Sequence, residues 1–173
     1  MLTEGQFALR KFAAEDLQSV VEINRICLPE NYASFFFLET YNTCPDAFLV
    51  AEVGRRVAGY IMCRVEHGFS EIKRFRFSKK GHIISVAVLP DFRRLGMGSA
   101  LVERSCEALS RNGVEECYLE VRTSNDQAVA LYRKLGFDIV RKIPHYYFDG
   151  SEAFVMAKDL QNAEAPGNRE PTS

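Results

Sequence analysis

Residues 82–99 carry the most specific chemical signal in the chain. They read His82-Ile83-Ile84-Ser85-Val86-Ala87-Val88-Leu89-Pro90-Asp91-Phe92-Arg93-Arg94-Leu95-Gly96-Met97-Gly98-Ser99. An apolar run enters Arg93-x-x-Gly96-x-Gly98, and a helical pattern begins at once. Glycine lets a backbone approach a ligand closely and adopt positive φ. The free N–H groups of a first helical turn point outward and, with the helix dipole, attract anions. Arg93 and Arg94 add mobile positive charge. Strand, R-x-x-G-x-G and helix together describe a cradle for a pyrophosphate. No Gly-Lys-Ser/Thr follows, which excludes a P-loop, and the G-x-G-x-x-G fingerprint of dinucleotide folds is absent. No H-E-x-x-H or G-x-S-x-G occurs, so two common hydrolase chemistries find no support.

The cradle needs elements to hold it. Residues 6–11 read as a strand. Residues 13–27 read as a helix with Leu17, Val20, Val21 and Ile26 on one face, ended by Pro29. A second, aromatic-rich helix is expected at 32–41. Strands at 47–53 and 57–65 flank the turn Gly54-Arg55-Arg56 and form a hairpin. Residues 68–80 read as a basic loop with Lys73, Arg74, Arg76, Lys79 and Lys80 against Glu71, either a solvated face or a rim for an acidic ligand. Strand 82–89, turn 90–98 and helix 97–111 follow, with Gly113 as a C-cap. Then come strand 116–123, a helix at 125–135 capped by Asn125, and strands 137–142 and 153–157. The order β-α-α-β-β-β-α-β-α-β-β predicts a single α/β layered domain over 1–160, with a mixed sheet and a polar, flexible tail at 161–173.

Bulk properties agree. At 173 residues the chain suits one domain, and 47% hydrophobic with 26% charged residues is a globular composition. Twenty-two Lys+Arg balance 23 Asp+Glu, which leaves no footprint for general nucleic-acid binding. Five cysteines without C-x-x-C spacing read as neither a disulfide framework nor a zinc site. Residues 1–11 lack the apolar core of a signal peptide, and no apolar run approaches the ~20 residues of a membrane span. The expectation is a cytoplasmic protein with no metal and no membrane partner.

With these residues in view, the sequence resembles the GCN5-related N-acetyltransferase (GNAT) family, whose acetyl-CoA motif is R/Q-x-x-G-x-G/A. A second family element follows at its usual place in Ser124-Asn125-x-x-Ala128-x-x-Leu131-Tyr132-x-x-x-Gly136-Phe137. Leu28-Pro29-Glu30-Asn31-Tyr32, Gly81–Ser85, Leu119-Glu120-Val121-Arg122 and Tyr146–Glu152 narrow the resemblance to NatA-type protein N-terminal acetyltransferases, in their archaeal Ard1 form. It covers about residues 5–160. Phe148 departs from it, standing where relatives have a small residue before Asp149-Gly150. The resemblance implies a sheet of about seven mostly antiparallel strands flanked by four helices. It implies acetyl-CoA held by Val86, Ala87, Val88, Arg93, Arg94, Leu95, Gly96, Met97, Gly98, Ser99, Asn125 and Tyr132. It also implies a peptide N-terminus held by Leu28, Pro29, Glu30, Tyr32, His82, Tyr146 and Tyr147. The ribosome or an auxiliary subunit is a further candidate partner.

Acetyl transfer to an amine needs a base, because an α-amine with pKa about 8 is largely protonated at neutral pH. It also needs an oxyanion donor and a proton for the departing thiolate. Glu120, His82 and Glu30 are the candidate bases, and their residue types do not choose among them. On spacing alone Glu120 is equally a carboxylate on a solvated strand face, His82 a strand-end imidazole and Glu30 a helix-start carboxylate. The resemblance implies that His82 and Glu120 are adjacent and that Tyr132 acts as general acid. A main-chain N–H near Val86 or Ala87 is the expected oxyanion donor. Two other readings stay open: the same cofactor serving a lysine side chain or a small-molecule amine, and a non-catalytic acetyl-CoA- or partner-binding module.

Overall fold

A computed structural model describes residues 7–161. The chain runs β1 (Ala8–Lys11), α1 (Leu17–Cys27), α2 (Ser34–Thr43), β2 (Leu49–Val53), β3 (Arg56–Phe69), β4 (Phe77–Val88), α3 (Met97–Arg111), β5 (Glu116–Arg122), α4 (Asp126–Lys134), β6 (Asp138–Ile143) and β7 (Ala153–Asp159). This is the element order expected from the sequence. The strands form one sheet ordered β1-β2-β3-β4-β5-β7-β6, in which only β4 and β5 pair in parallel. It is the expected mixed, mostly antiparallel seven-stranded sheet.

Helices cover both faces. Val20 and Ile23 of α1 and Phe37 of α2 pack on Tyr60, Met62, Ala87 and Leu89. On the other face Leu101, Val102 and Leu109 of α3 and Tyr132 of α4 pack on Ile61, Ile83, Leu119 and Val121. Period-2 alternation therefore sorts β5 cleanly. Cys117, Leu119 and Val121 face α3 and α4, which leaves Tyr118, Glu120 and Arg122 on the α1–α2 face. The same rule puts His82 opposite Ile83, on the face it shares with Glu120.

Several boundaries move, each for a local reason. Residue 6 of the first expected strand, and residues 162–173 of the expected tail, lie outside the described residues. The helix expected at 13–27 opens with a 3-10 turn at Ala14–Asp16 and becomes α-helical at Leu17. The second helix starts at Ser34, because Ala33 is extended (φ -68°, ψ 151°) and serves as its N-cap; Tyr32 N–H, ahead of it, donates to Asn24 Oδ1 at 3.2 Å. Another 3-10 turn, Pro45–Ala47, delays β2 to Leu49.

The largest correction concerns the basic loop. Most of 68–80 is the far end of a long β3–β4 hairpin, with Glu66 opposite Lys80 and Phe69 opposite Phe77. Three of its five cations meet carboxylates. Lys80, buried, pairs with Glu71, Lys73 with Asp159, and Arg76 with Glu115. Lys73, Arg76 and Lys79 look like part of a loop in the sequence because their partners, Asp159, Glu115 and the Asn112 carbonyl, lie far along the chain.

Candidate active site

The parallel β4–β5 ladder is short. It pairs Lys80 with Glu116, Gly81 with Cys117 and His82 with Tyr118, and then stops. Beyond that rung the strands part, and among the described residues the β4 edge facing β5 has no strand partner. A register shift near Met62 and Cys63 leaves β4 one extra residue around Ile84, a bulge that increases local twist. A cleft of about 530 Å³ fills the gap. Ile83, Ile84, Ser85 and Val86 line one side and Leu119, Glu120, Val121 and Arg122 the other. Asn125, Ala128 and Tyr132 reach it from the α4 side, and Leu28, Pro29, Glu30 and Tyr32 from the α1–α2 side. The cleft thus opens towards both faces of the sheet.

On the α3–α4 side the backbone makes the anion cradle. Gly96 is the N-cap of α3 with φ +80°, and no side chain caps the helix. The first-turn N–H groups of Met97, Gly98 and Ser99 are therefore left for a ligand. Arg94 also has positive φ (+66°), and Arg93 Nε donates to Val88 O at 2.9 Å, which pins the turn to the end of β4. Met97 is buried, so only its main chain can meet an anion. A Cβ on Gly98 would stand 3.9 Å from Leu131 of α4, which places the cradle against the helix that carries Tyr132. Of the expected cofactor residues, Val86, Asn125 and Tyr132 line the cleft itself. Ala87, Val88, Arg93, Arg94, Leu95, Gly96, Met97, Gly98 and Ser99 do not; they form the strand end, the turn and the first turn of α3 beside it. Asn125 spends its side-chain oxygen capping α4, accepting from Ala128 N–H at 3.2 Å. Tyr132 is buried, and burial pushes its phenol up to about 12. It keeps its proton at neutral pH.

On the α1–α2 side His82 Nε2 meets Glu120 Oε2 at 2.6 Å. Glu120 lines the cleft; His82 does not, and stands behind it. The expected adjacency holds, but His82 is displaced from the substrate wall. Glu30 lines the cleft with its carboxylate 2.7 Å from Arg122 Nη2, so it already carries a cation.

Arg122 is the main residue that reading the sequence missed. Its guanidinium donates to Glu30 from the α1–α2 connection, to Asp149 (2.9 and 3.1 Å) and to Ser151 from the β6–β7 connection. It also lies 3.9 Å from the centroid of the Tyr147 ring. Hydrogen bonds from Ser151, then the Arg122 guanidinium, hold the Asp149 carboxyl at about 2. Arg122 stood in a quoted motif, but only cross-strand register shows that it joins two loops. Buried Asn24 is a second miss: its amide donates to Glu30 O (3.2 Å) and Tyr60 Oη (3.1 Å) and fixes the Glu30 loop. Tyr146 and Tyr147 line the cleft, edge to face at 4.9 Å; burial, aided by the Glu120 charge, pushes Tyr146 up to about 12. Phe148, fully exposed, stands at the rim. Among the described residues no three His, Cys, Asp or Glu side chains form a metal-binding group.

Comparison with known proteins agrees with this geometry. The profile of the acetyltransferase (GNAT) family matches residues 17–137. A protein of Sulfurisphaera tokodaii named N-alpha-acetyltransferase is 46% identical, over 90% of this chain and 94% of its own. Among solved structures, Ard1 from Thermoplasma volcanium superposes with a TM-score of 0.77 at 32% identity, covering 89% of this chain and 97% of that one. Chaetomium thermophilum Naa20 in complex with a bisubstrate analogue gives 0.78 at 30% identity, covering 89% and 87%.

Proposed function

The chain belongs to the GNAT acetyltransferase family, and from that premise we infer that it is a protein N-terminal acetyltransferase, moving the acetyl group of acetyl-CoA to the α-amine of proteins. The observation that carries this reading is the cleft between β4 and β5, open to an anion cradle on one face of the sheet and to a carboxylate site on the other. Its relatives support the acceptor: the Sulfurisphaera protein is named for N-alpha acetylation, and the aligned stretch covers nearly its full length.

The cradle fits the cofactor. An uncapped 15-residue helix with a left-handed glycine at its N-cap and two exposed arginines is suited to a pyrophosphate. When bound, acetyl-CoA supplies an acyl group already activated as a thioester, so the protein's work is alignment and proton transfer. The open edge of β4 offers the main-chain N–H of Val86 to a developing oxyanion; Ala87, opposite Tyr60, turns its N–H towards β3. Tyr132, held protonated by burial, donates to the leaving thiolate. Glu120 takes the amine proton, directly or through one water. His82 holds Glu120 by one carboxylate oxygen and leaves the other for that task. Glu30, paired with Arg122, binds and aligns the acceptor.

Leu28, Pro29, Tyr32, Tyr146 and Tyr147 wall the acceptor groove in this reading. Exposed Ile26 and Phe35 on the α1–α2 side support a contact with an auxiliary subunit or the ribosome. Five free cysteines, four of them buried, support a cytoplasmic setting.

Peptides containing an internal lysine, with the N-terminus free or blocked, test the acceptor assignment. Mass spectrometry of fragments should locate one acetyl group on the α-amine of the free peptide and none on the blocked one. Acetylated lysine in the blocked peptide would contradict the reading.

A further inference from the structure

We infer that Tyr118 is a positioning residue of the acceptor site, a brace that fixes the plane of the His82 ring and through it the aim of Glu120. The inference rests on the reading of Glu120 as the base. His82 and Tyr118 oppose each other in the last rung of the β4–β5 ladder. Their rings are parallel to within 2°, with centroids 4.5 Å apart. An imidazole turns in broad wells about its χ2 bond, so the single hydrogen bond at Nε2 fixes a point and not a plane. The buried Nδ1 has no hydrogen-bond partner among the described residues and adds no second anchor. The face of Tyr118 supplies the missing restraint.

Tyr118 is itself held at several points. It belongs to β5, yet its hydroxyl donates to Glu66 on β3, so the side chain spans the intervening β4. Burial, reinforced by the Glu66 carboxylate, raises the phenol pKa and keeps the hydroxyl a donor. The Lys80 ammonium lies 4.8 Å from the ring centroid and is tied to Glu71 at 3.1 Å. Val155 and Ala157 of β7 pack against Tyr118. The ring is anchored across three strands at the rung where the sheet opens. Tyr118 does not line the cleft, whereas Glu120 does, so its influence on the reaction passes through His82.

The test is a double-variant cycle read as kcat and KM for peptide and acetyl-CoA, with thermal melting as the folding control. Tyr118→Leu removes the ring face. It should lower kcat by about tenfold or more, in the range of a misaimed base, while both KM values stay within about threefold. Tyr118→Phe keeps the face and loses only the hydroxyl bond; it should retain kcat within about twofold. In a His82→Ala background, Tyr118→Leu should cost less than about twofold further, because the ring it orients is gone. Equal losses in both backgrounds would overturn the brace. So would a lowered melting temperature with unchanged kcat. If Tyr118→Leu does not fold, Tyr118→Phe still decides: a tenfold fall in its kcat at unchanged melting temperature would assign the effect to the hydroxyl and not the stack. Full kcat in Glu120→Gln, a result that does not involve Tyr118, would overturn the reading of the base and the brace with it.

Discussion

At the scale of single residues, proton placement decides what each group can do. Burial holds the Tyr132 phenol up to about 12, so it stays a donor across the range in which such enzymes are assayed. Tyr132→Phe should lower kcat by about 10²-fold, the usual contribution of one general acid, with little change in either KM. The wild-type profile should show no alkaline loss from this group below about pH 11, one unit beneath the raised phenol value; a loss centred near pH 10 that Tyr132→Phe removes would contradict it. Arg122 makes a contrasting case. Its partners Glu30 and Asp149 are 42% and 61% exposed, so solvent screens both pairs. It therefore contributes little to stability and much to geometry, because one guanidinium ties the two loops that wall the acceptor side. Arg122→Ala should raise peptide KM by about tenfold or more while the melting temperature moves by only a few degrees. An unchanged peptide KM would show that the loops hold without it. Arg93-x-x-Gly96-x-Gly98 was legible from residue type and spacing; Glu120 stood out by type as one of three candidate bases, and the role of Tyr132 came from the family resemblance. Arg122, Asn24 and Tyr118 were not legible, because each acts through a partner on another strand or loop.

At the scale of elements, the sheet and α3 must approach closely where His82 is set. Gly81, beside it, permits this: a Cβ there would lie 2.7 Å from Leu109 Cδ1, and Leu109 is locked in the core. Gly81→Ala should destabilise the protein by about 1–3 kcal/mol, the cost of overpacking, read from chemical denaturation. A neutral effect would mean that α3 shifts freely. At the other edge Asp16 fastens β1 to the start of α1. Its carboxylate takes Arg10 in a two-point contact (2.6 and 2.8 Å) and the Ala13 N–H at 2.9 Å. The Arg10 bonds, then that N–H, hold the Asp16 carboxyl below its ordinary value. A depressed carboxyl stabilises the fold above its unfolded value, about 4, and that contribution is lost as pH falls towards the lower folded value. Stability should therefore fall below about pH 4, and Asp16→Asn should show a smaller fall over the same interval. An equal fall in both would remove Asp16 from the account. Element order was readable because hydrophobic period and glycine signals are local. The β3–β4 hairpin was not, because its cations mimic a solvated loop until Glu71, Glu115 and Asp159 are seen to meet them.

At the scale of the whole molecule, one break in one sheet organises everything. Strands that pair in parallel for three rungs and then part make an opening through the layer. The helices on the two faces differ: α3 presents an uncapped N-terminus, while the α1–α2 connection presents a carboxylate. Donor and acceptor can enter from opposite faces and meet between the strands, so both can be bound at once. A balanced net charge of -1 hides this division between a cationic cradle and an anionic acceptor wall. The rival scheme is a covalent acetyl-enzyme, for which Cys27 at the cleft wall is the available thiol. The most direct test is a matrix of initial rates over both acetyl-CoA and peptide concentrations. Direct transfer in a ternary complex predicts reciprocal plots that intersect. Parallel plots, the mark of an acetyl group parked on the enzyme, would contradict the account.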